Sequence, residues 1–175
     1  MASNGHWLTD LVRDIDDFPT SGVSFRDITP LLGDGKSFVR VIDELADRFD
    51  DLSPDRVLGM EARGFIIAAP VAYRLGAGFV PVRKAGKLPW AVVREDYSLE
   101  YGQDKLEIHR DAIRPGEHIL VIDDVLATGG TAAATVRLVE ALGGVVVGVG
   151  FLIELEDLGG RAKLDGRRVE SLARY

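Results

Sequence analysis

The stretch Asp123-Asp124-Val-Leu-Ala-Thr-Gly-Gly-Thr131 holds two adjacent carboxylates, a turn of small residues and two threonine hydroxyls. It follows the apolar run His118-Ile-Leu-Val-Ile122 and leads into a helix-patterned stretch from Thr131 to Leu142, closed by Gly143-Gly144. The run predicts a buried strand and the stretch a helix. Ala127, Thr128, Gly129, Gly130 and Thr131 would then offer backbone N–H groups at a helix N-terminus, with no bulky side chain in the way. A phosphate monoester fits such a cradle. Asp123 and Asp124, one loop-width away, can accept hydrogen bonds from vicinal hydroxyls or hold Mg²⁺. A phosphate pocket beside a diol pocket describes a ribose 5-phosphate. The competing reading is an ordinary helix capped by Thr128 or Thr131.

Other chemistries can be set aside. Gly35-Lys36-Ser37 resembles the end of a P-loop, but Pro30 stands where that motif needs glycine. No Gly-x-Gly-x-x-Gly follows a strand. The chain has no cysteine, which excludes a thiol nucleophile, a disulfide scaffold and a Cys-based zinc site. Its three histidines, His6, His109 and His118, are scattered. Lys plus Arg is 21 against 28 for Asp plus Glu, a net charge of -7. That balance disfavours nucleic acid and anionic membranes. No apolar run approaches the ~20 residues of a membrane helix. The N-terminus lacks the pattern of a signal peptide, so a cytoplasmic location is expected.

These residues need a frame. Trp7 to Ile15 has helical spacing, Asp17 to Pro30 reads as loop, and Phe38 to Phe49 as a second helix. Arg56 to Met60 and Gly78 to Val82 read as buried strands around a helix from Gly64 to Leu75. Lys84 to Asp104 shows no helical period and reads as a long loop, a length typical of lids. Leu106 and Ile108 alternate with polar neighbours as in an edge strand, and Val145 to Ile153 is a last apolar strand. The order is that of an α/β fold: a mainly parallel twisted sheet flanked by helices. One domain over 1–175 is expected, with an N-terminal arm over 1–35 and a lid loop over 84–104. Ligands in such sheets bind beyond the carboxyl ends of the strands.

Residues 121 to 131, Val-Ile-Asp-Asp-Val-Leu-Ala-Thr-Gly-Gly-Thr, resemble the phosphoribosyl-pyrophosphate (PRPP) motif of the type I phosphoribosyltransferases. Three further segments resemble the branch of that family acting on adenine. They are Asp17 to Pro30, Glu61-Ala-Arg-Gly-Phe65, and Val82-Arg-Lys-Ala-Gly-Lys-Leu-Pro89 together with Tyr97-Ser-Leu-Glu-Tyr-Gly102. The resemblance runs from about Asp17 to Gly160. It departs at Ser21, where many members have proline, and at Ser24, a position often apolar.

The resemblance implies a purine-salvage enzyme that joins adenine to PRPP, with Mg²⁺, to give AMP and pyrophosphate. It implies a homodimer in which the neighbour helps bind pyrophosphate. It assigns the 5-phosphate and ribose to Asp123, Asp124 and Ala127 to Thr131. Pyrophosphate falls to Glu61, Ala62, Arg63, Arg83, Lys84, Lys87 and Tyr101, with a cis peptide expected around Glu61-Ala62. Glu100 would take the purine proton, acting with Asp123 and Asp124 as the catalytic set. Val23, Ser24, Phe25 and Arg26 would read the adenine edge and face, and Leu155 would cover the opposite face. Mg²⁺ would be held mainly by PRPP, with no direct protein ligand assigned.

Some alternatives stay open. Phe25 is either a purine stack or an anchor of the arm. Arg26 could pair with Asp27 or a lid carboxylate, and Glu100 and the Arg83 to Lys87 cluster could be solvated charge. The substrate could be another purine: hypoxanthine, guanine or xanthine. A PRPP-sensing regulator that binds nucleic acid would need a basic face, which this composition does not supply.

Overall fold

The computed structural model describes residues 6–99 and 102–175. In chain order the elements are α1 (His6–Thr9), β1 (Arg13–Ile15), β2 (Phe25–Asp27), α2 (Thr29–Gly33) and α3 (Gly35–Asp47). Next come β3 (Arg56–Met60), α4 (Arg63–Leu75), β4 (Gly78–Lys84), β5 (Val92–Leu99) and β6 (Gly102–His109). The chain ends with β7 (His118–Leu126), α5 (Gly130–Ala141), β8 (Val145–Glu154) and β9 (Val169–Arg174). Two short 3-10 turns, Glu156–Leu158 and Gly160–Leu164, connect β8 to β9.

Seven strands form one sheet in the order β5-β6-β4-β3-β7-β8-β9. The five from β4 to β9 are parallel, and β6 and β5 add an antiparallel edge. The alternation of a strand explains the two cores. Leu120 and Ile122 of β7 face a core built with Leu45, Phe49, Ile67 and Val71 from the α3 and α4 side. Ile119 and Val121 face a second core with Leu138 and Val139 of α5 and with Leu106 and Ile108 of β6. The mainly parallel α/β sheet expected from the sequence is therefore present.

Four elements differ from expectation. The N-terminal helix stops at Thr9, and Leu11 and Val12 turn the chain through bonds to Leu8 and Thr9 carbonyls. Arg13 to Ile15 then pairs antiparallel with Phe25 to Asp27, which was expected as loop. Leu8 and Val12 are still buried, so the periodicity reported burial rather than a continuous helix. The expected 84–104 loop is largely a hairpin: β5 pairs with β6 from Val92↔His109 to Leu99↔Gly102. Val93, Tyr97, Leu106 and Ile108 of the two strands pack into the second core, and Glu107 on the other face is buried as well. β9 pairs with β8 and was not anticipated.

Candidate active site

The carboxyl ends of β3 and β7 open into a cavity of about 450 Å³. Asp123 and Asp124 stand on its floor. They lie on β7 itself, not after it, because pairing with β8 continues to Leu126↔Glu154. Asp124 is 5% exposed. Arg63 Nε lies 2.7 Å from its Oδ2. That oxygen is fully buried and, apart from the Arg63 ion pair, takes no aligned hydrogen bond. Asp123 Oδ1 accepts from Asp124 N–H at 2.9 Å. Burial first, and then the neighbouring Asp124 charge, push the Asp123 carboxyl well above its ordinary range. Gly64 at the start of α4 makes room for it: a Cβ there would sit 2.5 Å from Asp123 Oδ1.

The turn from Ala127 to Thr131 is built from backbone. α5 starts at Gly130, and Gly129 caps it at φ 73 with no side-chain hydrogen bond. Capping by Thr128 or Thr131, the alternative for this motif, is not how the helix begins. Ala127 through Thr131 instead wrap a smaller recess of about 60 Å³ that shares Asp123 with the main cavity. The helix has 12 residues, enough to carry the positive end of its dipole to that recess. Thr131 also meets the Tyr97 hydroxyl, which lies 3.3 Å from Asp104 Oδ2.

The cationic wall is built from side chains, and each cation has a carboxylate partner. Glu61, after β3, meets Arg83 Nε at 3.0 Å, Lys84 N–H at 3.1 Å and the Lys87 ammonium. Burial raises the Glu61 carboxyl, but bonds from Lys87, Lys84 and Arg83 outweigh it and hold the group below its ordinary range. Lys84 Nζ pairs with Asp104 at 2.9 Å. That bond is the main reason the ammonium is raised and the Asp104 carboxyl lowered. The Glu61–Ala62 peptide bond is cis, as the resemblance led one to expect.

At the base end Phe25 meets Phe18 edge-on at 5.2 Å and lies under the Arg63 guanidinium at 5.0 Å. It therefore anchors the arm and lines the cavity at once. Arg26 pairs with Asp14 and stacks on Tyr175 at 4.4 Å, rather than pairing with Asp27. The Val23 N–H is spent on Thr20 O.

Of the residues expected at the site, Val23 to Arg26, Glu61 to Arg63, Lys84, Asp123, Asp124, Ala127, Thr131 and Leu155 line the main cavity. Thr128, Gly129 and Gly130 line the adjoining recess. Arg83 and Lys87 reach Glu61 but are not on the cavity wall. Glu100 and Tyr101 lie outside the described residues. Sequence reasoning missed Leu106, Val125 and Leu158 as lining residues and did not assign Tyr97 to the wall. The alternation of Leu106 and Ile108 was the available signal. Among the described residues no three His, Cys, Asp or Glu form a metal cage. The Asp123–Asp124 carboxylates line the cavity, and their chemistry fits substrate hydroxyls or a divalent ion brought in by an anionic substrate.

Residues 29–167 match the phosphoribosyl transferase domain family. An adenine phosphoribosyltransferase of Symbiobacterium thermophilum is 56% identical over 164 residues, covering 94% of this chain and 96% of that one. The crystal structure of the enzyme of that name from Thermoanaerobacter pseudethanolicus superposes with a TM-score of 0.95 at 49% identity, over 98% of this chain and 100% of that one. A Saccharomyces cerevisiae adenine phosphoribosyltransferase, solved with an imino-altritol bisphosphate and adenine, superposes at 0.91 with 39% identity, over 98% and 99%. This fold and site are those of a phosphoribosyltransferase. The chain belongs to the adenine phosphoribosyltransferase branch of that family.

Proposed function

We infer that the chain transfers the 5-phosphoribosyl group of PRPP to adenine, giving AMP and pyrophosphate. The observation that carries this reading is one cavity lined by the Asp123–Asp124 carboxylate pair, the Ala127–Thr131 turn, Arg63 and Lys84. The Ala127–Thr131 turn takes the 5-phosphate, and Asp123 and Asp124 take the ribose hydroxyls. Arg63 and Lys84 face the pyrophosphate, with Arg83 and Lys87 beside them. Glu61 is itself anionic, so its carboxylate serves pyrophosphate by holding those cations rather than by direct contact.

The N9 atom of adenine attacks C1 of the ribose as the bond from C1 to pyrophosphate breaks. The N9 proton must leave, and Glu100 is the proposed acceptor. The cationic character that develops at the ribose ring is stabilised by the carboxylates beneath it, so positioning and electrostatics carry the catalysis. A bound Mg²⁺ would offset diphosphate charge, with Asp123 and Asp124 the nearest candidate partners. The β5–β6 hairpin serves as the lid that excludes water. Adenine lies between Phe25 and Leu155, its edge read by backbone between Ser24 and Arg26.

A panel of adenine, hypoxanthine, guanine and xanthine with PRPP, with and without Mg²⁺, tests the reading. Adenine should be consumed at least ~100-fold faster than 6-oxo purines, which would leave the edge-reading groups unpaired. Faster turnover of hypoxanthine or guanine sinks it. Glu100→Gln should lower kcat more than it raises KM for PRPP; the reverse removes Glu100 as proton acceptor.

A cytoplasmic homodimer is part of the same proposal. Tyr73 is 89% exposed and Ile66 44% exposed on α4, as an apolar patch awaiting a second copy would be. Sedimentation of a monomer only, at assay concentration, would count against it.

A further inference from the structure

The segment after β8 touches the phosphate turn through backbone alone. Gly160 begins the second 3-10 turn. A Cβ on it would lie 2.1 Å from Ala127 O and 2.7 Å from Gly129 N. The contact is reciprocal, since a Cβ on Gly129 would lie 2.3 Å from Gly160 O. Two glycines on separate segments thus face each other with no side chain between them. Any residue larger than glycine at either place forces the turn and the segment apart.

The next residue fixes where Gly160 sits. Arg161 donates from Nε to Glu154 Oε1 at 2.7 Å and from Nη1 to Val169 O at 2.9 Å. Glu154 is 4% exposed and also accepts from Ser171 Oγ at 2.8 Å. Its carboxyl is held below the ordinary range, first by the bond from Arg161. This network ties the segment to the ends of β8 and β9, two rigid strands of the sheet. A charge-assisted fork of this kind fixes direction as well as distance.

We propose that Gly160, aimed by the Arg161–Glu154 pair, is a positioning residue for the phosphate turn, setting the backbone of Ala127 and Gly129 for the 5-phosphate of the sugar substrate. The turn alone has few fixed points. Its helix start carries no side-chain cap, and Gly129 adopts a left-handed conformation. Gly160 supplies the wall against which the turn rests. Neither Gly160 nor Arg161 lines the cavity, so both act through the turn and not on the substrate.

The proposal rests on the phosphate turn binding the 5-phosphate, and the probes are chosen to separate the two. Ribose 5-phosphate binding by calorimetry reads the turn without pyrophosphate. Gly160→Ala should weaken it by tenfold or more. It should also raise KM for PRPP by a similar factor and keep kcat at saturating PRPP within about threefold, with the protein still folded at the assay temperature although less stable. Unchanged ribose 5-phosphate affinity with full folding overturns the proposal. If Gly160→Ala does not fold, Arg161→Gln carries the test. A loss of ribose 5-phosphate affinity that Arg161→Lys partly restores supports the proposal, and wild-type affinity in Arg161→Gln overturns it. Failure of the wild-type protein to bind ribose 5-phosphate at all would instead overturn the reading of the turn itself.

Discussion

The two walls of the cavity solve the same problem with different materials. The phosphate wall, Ala127 to Thr131, offers backbone N–H groups from a helix start that no side chain caps. The cationic side offers Arg63 and Lys84 on the cavity wall and Arg83 and Lys87 around Glu61, and every one of them faces a carboxylate: Asp124, Glu61, Asp104 and Glu61 for Arg63, Arg83, Lys84 and Lys87 in turn. The first wall is preorganised and has no long side chain to order when phosphate arrives. The second must exchange internal ion pairs for substrate oxygens. Cations held this way lose less conformational entropy on binding, but the carboxylates stay behind and repel the incoming anion. This arrangement also reconciles a net charge of -7 with a strongly anionic substrate. Local geometry decides, and much of the acid near the site is committed to holding cations.

The largest effect should come from the floor between the walls. Asp123→Asn with Asp124→Asn should lower kcat by roughly 10²–10³, comparable with removing a principal transition-state contact, while circular dichroism stays native. Unchanged kinetics would remove the ribose assignment and leave the phosphate wall without a partner. Next is Gly64→Ala, whose methyl group cannot coexist with Asp123 Oδ1 as placed. A forced shift of the carboxylate should cost about 10- to 100-fold in kcat/KM. Wild-type rates would show that the floor is more tolerant than the buried geometry implies.

Lys87→Met then probes the cationic wall by itself. KM for PRPP should rise about tenfold, ~1.4 kcal/mol, the scale of one charge-assisted bond. Ribose 5-phosphate affinity should not change. If both change together, the two walls are not independent.

The smallest effect concerns stability. The Asp123 carboxyl titrates higher folded than unfolded, so between those two values the folded state holds more protons. Stability therefore falls as pH rises through the range above the ordinary carboxylate value. Asp123→Asn removes that penalty and keeps an acceptor for Asp124 N–H. Its melting temperature should exceed wild type by roughly 2–4 °C at pH 8, and the gain should vanish in acid. A melting temperature below wild type at pH 8 would mean the charged carboxylate is stabilising.

The legible parts of the molecule were those with local causes. His118 to Ile122 is apolar on both faces and could only be a buried strand. The turn after it could be read because its chemistry lies in consecutive residues. The β5–β6 hairpin was not legible, because Arg94, Glu95 and Asp96 mask the inward Val93 and Tyr97, and the pairing spans both strands. β9 is short and carries charges at Glu170 and Arg174, and only β8 makes it a strand. Partner choice was the least readable feature. Nothing local says that Arg83 and Lys87 meet Glu61, or that Arg26 meets Asp14 rather than Asp27.

The outer side of β4 has one more consequence. β6 covers it only at Arg83 and Lys84, so the stretch from Gly78 to Val82 has no strand beside it among the described residues. An open parallel edge next to a buried core invites a foreign strand to add on. Pro81 sits within that stretch and has no N–H to offer, so a continuous ladder cannot form there. Pro81, within β4 itself, thus guards that edge against strand addition and aggregation.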